Sequence, residues 1–145
     1  MAPRPPRNAG FLEVPDEVRD VWANSARSFN DERDIYEIEA VGSLLVLSNW
    51  GHLMVDMLWI YFVDNEAALA TLIKGSSSVL SGEVISCYTH SMVAKRSLWP
   101  WFDRCDTHSN PVDGLSRKRR EGDWDLVPIV FPPDLLALLA QYLGR

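Results

Sequence analysis

Residues 58–65 read Leu58-Trp59-Ile60-Tyr61-Phe62-Val63-Asp64-Asn65, a continuous aliphatic, aromatic and β-branched run closed by two polar residues. A strand with one wet face alternates polar and apolar residues. This run does not, so it predicts a central strand covered on both faces. Asp64 then stands at the carboxyl end of that strand, where open α/β sheets place their ligands. Glu66 to Ile73 follows with helical character, and Gly75 is placed to close it.

Upstream, Asn30 to Glu32 offer cap residues, and Ile35, Ile38, Val41 and Leu45 recur at helical spacing. Leu44 and Leu47 widen the stripe, which predicts a largely buried helix to about Leu53. Ala9 to Val14 and Val18 to Ala26 predict two short strands in a hairpin, separated by Pro15-Asp16. Residues 1–8 carry three prolines and two arginines and are expected to be a disordered tail with no strand.

Downstream, Ser76 to Ser78 cap a predicted helix from Val79 to about Ala94, with Leu80, Val84, Cys87, Tyr88 and Met92 facing inward. Leu98 to Asp106 alternates like a strand, and Pro100 assigns it to an edge. Trp99 and Trp101 share one face of it; core packing is favoured for them over base stacking. Asn110-Pro111 opens a short helix by the cap-then-proline rule. Trp124 to Pro133 is extended, and Leu135, Leu136, Leu138, Leu139, Tyr142 and Leu143 form an amphipathic helix. The order strand, strand, helix, strand, helix, helix, strand, helix, tail describes an α/β domain with a hairpin on one side.

Length and composition agree with one domain. The chain has 145 residues, 47% of them apolar and 23% charged, which is ordinary for a globular core. Its apolar runs, such as Leu44–Leu47 and Met57–Val63, are far shorter than the roughly 20 residues that span a bilayer. Cys87 and Cys105 show no metal-ligand spacing; they read as buried free thiols of an intracellular protein, nuclear or cytoplasmic, without structural zinc. The net charge of −6 argues mildly against sequence-independent nucleic-acid binding. The run Arg117-Lys118-Arg119-Arg120 is a local exception, and reads equally well as a solvated loop.

Three acids stand out by position: Glu39 on the first buried helix, Asp64, and Asp113 in the first turn of the short helix. Each alone has a plainer role. Glu39 suits the edge of a helix stripe, Asp64-Asn65 a helix cap, and Asp113 a first-turn acid. Brought together, three carboxylates stay ionised only if a divalent metal offsets their charge. Such a cluster suits phosphodiester hydrolysis by paired Mg²⁺ ions about 4 Å apart.

These segments carry a family resemblance. Glu39-Ala-Val-Gly-Ser-Leu-Leu-Val-Leu-Ser-Asn-Trp50 resembles the helix motif of ribonuclease H domains attached to retroelement reverse transcriptases. Phe62-Val-Asp-Asn-Glu-Ala-Ala68 resembles that family's second aspartate motif. Ser109-Asn-Pro-Val-Asp-Gly-Leu-Ser-Arg117 is similar to its final, most specific motif, an aspartate ahead of Leu-Ser-Arg. Together they cover roughly residues 9–118, leaving 119–145 as a carboxyl-terminal extension with the amphipathic helix.

The resemblance implies a mixed sheet ordered 3-2-1-4-5 with helices on both faces. Ala9–Val14 and Val18–Ala26 would be strands 2 and 3, Met57–Asp64 strand 4, and Leu98–Asp106 strand 5. It also implies Mg²⁺- or Mn²⁺-dependent cleavage of the RNA strand of an RNA–DNA hybrid, within a reverse-transcriptase polyprotein and away from membranes. Glu39, Asp64 and Asp113 match three of the family's four metal ligands. Asn65, His108, Arg117 and Lys118 fall where weaker nucleic-acid contacts are expected. The first strand, with its metal-bridging aspartate, has no counterpart: Met1-Ala-Pro-Arg-Pro-Pro6 stands in its place. One ion rather than two, and impaired cleavage, is therefore expected. A catalytically inactive nucleic-acid- or protein-interaction module of the same fold is the alternative.

Overall fold

The computed structural model describes residues 7–24, 32–111 and 124–143. The order of elements is β1 (Asn8–Ala9), α1 (Asp16–Ala23), α2 (Glu32–Trp50), a 3₁₀ turn (Gly51–Leu53), β2 (Leu58–Val63), α3 (Glu66–Lys74), α4 (Leu80–Lys95) and β3 (Trp99–Arg104). A second 3₁₀ turn (Thr107–Ser109), β4 (Asp125–Leu126) and α5 (Pro133–Tyr142) complete it. Mixed α/β character is as expected. The strands, however, form two two-stranded parallel sheets, β1 with β4 and β2 with β3, rather than one five-stranded sheet among the described residues.

The β2–β3 pair runs in register from Leu58 opposite Trp99 to Val63 opposite Arg104. Parallel neighbours need a long crossover, and α3 and α4 supply it. Asn65 caps α3 by accepting a hydrogen bond from the Ala68 amide at 2.9 Å, and Gly75 ends it in the left-handed conformation at φ 70°.

The expected amino-terminal hairpin is not formed. Residues 18–23, anticipated as a strand, are helical in α1, because Val14, Val18, Val21 and Trp22 recur every three or four residues and meet one cluster. Asp16 and Glu17 in its first turn favour the helix amino terminus. Asn8, expected outside any strand, pairs with Asp125 in β1–β4, and beyond Ala9 the strand does not continue. Pro3 to Pro6 lie outside the described residues.

The core centres on α2. Tyr36, Ala40, Val41 and Leu44 meet Val63 of β2, Ala68 of α3, Ile85 of α4 and Leu139 of α5. Leu47 joins Trp59, Val93 and Leu98 in a second cluster. Two helix faces differ from expectation. On α2, Ile35 and Ile38 are exposed; on α4, Leu80, Cys87 and Tyr88 are exposed while Ser81, Gly82, Ile85, Ser86, Thr89 and Val93 are buried. Small residues let the helices approach closely, and their hydroxyls bond across the gap instead of to water. Ser43 and Thr89 are 2.9 Å apart, Ser86 reaches the Thr71 carbonyl at 3.4 Å, and Tyr36 meets Thr71 at 2.8 Å. Glu37, fully buried, accepts from Trp22 Nε1 at 2.7 Å and Ser81 Oγ at 2.6 Å, tying α1, α2 and α4 together.

Among the described residues, helices cover one face of β2–β3, not both. Trp59, Tyr61, Val63 and Phe102 face the core, whereas Leu58, Ile60, Phe62, Trp99 and Trp101 are exposed. Trp99 and Trp101 do share a face, but it is not a core face. Cys87 is exposed and Cys105 half-buried; both are free thiols rather than buried ones. No described helix is long and apolar enough to cross a membrane.

Candidate functional site

Glu39 and Asp64 come from different elements and meet. Glu39 lies two turns into α2, and Asp64 immediately follows β2, at its carboxyl end. Burial first, then the charge of Asp64 and a side-chain hydrogen bond to it, push the Glu39 pKa up to about 7. A hydrogen bond between two carboxyl groups requires a proton on one of them, and the raised pKa assigns it to Glu39.

The pair lines an open cleft of about 510 Å³. Its α2 wall is Glu39, Gly42, Leu45, Val46 and Trp50; its β2 wall is Tyr61, Phe62, Val63 and Asp64. Gly10, Ile129, Cys105, Asn110 and Pro111 complete the rim. Gly42 is needed for closeness: a Cβ there would stand 2.8 Å from the Tyr61 hydroxyl. Burial, followed by the negative charge of Glu39 and Asp64, raises the Tyr61 phenol above its usual range, so it remains a neutral hydroxyl.

Of the three expected carboxylates, two are brought together. Asp113 lies outside the described residues, as do Arg117 and Lys118; the described chain reaches the cleft rim at Asn110 and Pro111. Among the described residues no group of three or more His, Cys, Asp or Glu is arranged to hold a metal ion. Asn65 serves as the α3 cap. His108 is exposed in the second 3₁₀ turn and does not line the cleft. His90 has a structural role: its Nε2 is 2.8 Å from the Leu72 carbonyl, and its ring meets Phe102 edge-on.

Sequence reasoning missed Tyr61, Cys105 and Asn110 as cleft residues. Tyr61 carried a readable signal, since strand periodicity puts it on the Trp59–Val63 face, two residues before Val63 and turned toward α2. Cys105 follows from the strand register, its amide bonding the Val63 carbonyl at 3.1 Å. Compared with family models, with curated proteins and with solved structures, the chain matches none.

Proposed function

We propose that this chain is a ribonuclease H-like domain of retroelement lineage, with a residual divalent-cation site at Glu39 and Asp64 and impaired cleavage of RNA–DNA hybrids. The observation that carries the reading is the convergence of Glu39 and Asp64 in an open cleft, at the positions matching two family ligands. Without a cation the pair holds a proton; a hard divalent cation favours the doubly ionised form and displaces it. Two carboxylate donors suit Mg²⁺, which keeps several waters and is held by one or two carboxylates together with substrate phosphate. When bound, such an ion supplies charge neutralisation and activation of water. The chain's own groups hold the ion through Glu39 and Asp64, and Tyr61 offers a neutral hydroxyl beside them.

The test is Mn²⁺ binding followed by electron paramagnetic resonance, in parallel with Mg²⁺-dependent hydrolysis of a labelled hybrid. Weak, millimolar-range binding that is lost in Asp64→Asn, with cleavage barely above background, is expected. Absence of Mn²⁺ binding at about 10 mM, above the millimolar range expected, would remove the reading. Robust cleavage abolished by Asp64→Asn would retain the lineage and discard the impairment. The alternative reading, a non-catalytic interaction module, is favoured by the uncovered apolar face of β2–β3.

A further inference from the structure

Beside the cleft, with which it shares Phe62, the most unusual feature is that face, left uncovered by the described residues. Leu58 is 63% exposed, Ile60 51%, Phe62 58%, Trp99 73% and Trp101 61%. Strand register places Leu58 beside Trp99 and Ile60 beside Trp101, so the five side chains form one contiguous patch. Summed over residues of this size, the patch presents on the order of 700 Å² of apolar surface, above the roughly 300–600 Å² of the largest patch on a typical monomer.

We propose that this face is the interface of a homodimer, in which the outer faces of two β2–β3 sheets pack against each other about a two-fold axis. The area decides the occupant in part: about 700 Å² per copy approaches the roughly 800 Å² per partner of a standard stable interface. Composition decides the rest. The five side chains are all aromatic or aliphatic, and Asp103, opposite Phe62 at the far end of β3, borders them; interface cores are enriched in aromatic residues and depleted in charge. Apolar faces of two sheets pack on each other as a sandwich about 10 Å apart, and a second copy supplies a face of the same composition. A nucleic acid stacking on Trp99 and Trp101 would need cations beside them. Among the described residues the charged neighbour is Asp103, accepting a hydrogen bond from Trp101 Nε1 at 3.4 Å.

Sedimentation equilibrium of the full chain tests this. The expected mass at about 50 µM is twice the 16.4 kDa of one chain, falling toward the monomer on dilution. Ile60→Glu and Trp101→Glu each place a charge in the patch without entering the cleft, and each should weaken self-association by roughly a hundredfold. Both side chains point away from the core, so far-UV circular dichroism should be unchanged; if one variant misfolds, the other decides. Ile73→Glu, at an exposed apolar position of α3, should leave the dimer intact. A chain monomeric at every concentration overturns the proposal, as does a dimer indifferent to both variants. A monomer that binds a fluorescent single-stranded oligonucleotide, and loses it in Trp101→Glu, overturns it in favour of a stacking platform.

Discussion

Glu39 couples the cleft to pH. Its pKa is raised to about 7, above the value near 4.5 that an unfolded glutamate has. The folded state therefore binds more protons than the unfolded state between those values. The stabilisation from the protonated pair is fully present below about pH 4.5 and is lost as pH rises through about 7. With allowance for solvent screening of a partly exposed group, the loss is about 2 kcal/mol. Glu39→Gln cannot ionise, so its stability relative to the parent should rise by about that amount between pH 5 and pH 8. Urea unfolding at the two pH values measures this, and an equal difference at both would show that Glu39 titrates normally. Mg²⁺ should narrow the gap at pH 8, because it stabilises the ionised pair that only the parent possesses.

Among the elements, α4 shows how small residues organise packing. A Cβ on Gly82 would run into the Tyr36 hydroxyl and Ser77 Oγ, which also bond each other at 3.0 Å. Gly82→Ala should therefore displace Tyr36 from Thr71 and cost about 2 kcal/mol, seen as a lower urea midpoint with unchanged m-value. Asn49 plays a comparable part for the extended segment before α5. Its amide nitrogen donates to the Val130 carbonyl at 2.9 Å while its carbonyl accepts from the Val130 amide at 2.8 Å, as a strand partner would. Asn49→Ala should cost about 1 kcal/mol and raise hydrogen exchange at Val130 selectively.

These same elements show what sequence periodicity could and could not reveal. The spans of α2, β2, α3, α4 and β3 were readable because each rests on local pattern; the meeting of Glu39 with Asp64 was expected from element order together with the family resemblance, since neither acid stood out alone. The buried face of α4 was not. It is built from Ser81, Gly82, Ser86 and Thr89, whose burial is possible only through partners on α2 and α3 that no local pattern announces. The unbroken apolar run of β2 misled in the opposite direction. Apolarity on both faces of a strand says that both need cover, not that the same chain supplies it.

At the scale of the molecule, α5 is part of the larger core cluster. Leu139 is fully buried and shares a cluster with Val18 of α1, Tyr36 and Leu44 of α2 and Ile85 of α4. Leu139→Ala should thus cost about 3 kcal/mol and act globally. Far-UV circular dichroism and tryptophan fluorescence should shift together to one lower midpoint. Separate transitions would show that α1 and α5 melt apart from the α2–β2–β3 body.

The parallel pairing of β1 with β4 joins the two ends of the described chain, Asn8 with Asp125 and Ala9 with Leu126, and α1 rests partly on Leu139 and Leu143. Translation is vectorial, so the first of these partners leaves the ribosome long before the second. At about 5–20 residues per second, Ala9 waits on the order of 10 s for Leu126 to be made. Throughout that interval Val18, nearly fully buried in the finished fold, lacks the carboxyl-terminal part of its cover. The nascent chain therefore completes its middle first and fastens its beginning last, and in that window a holdase that grips short apolar segments competes for α1.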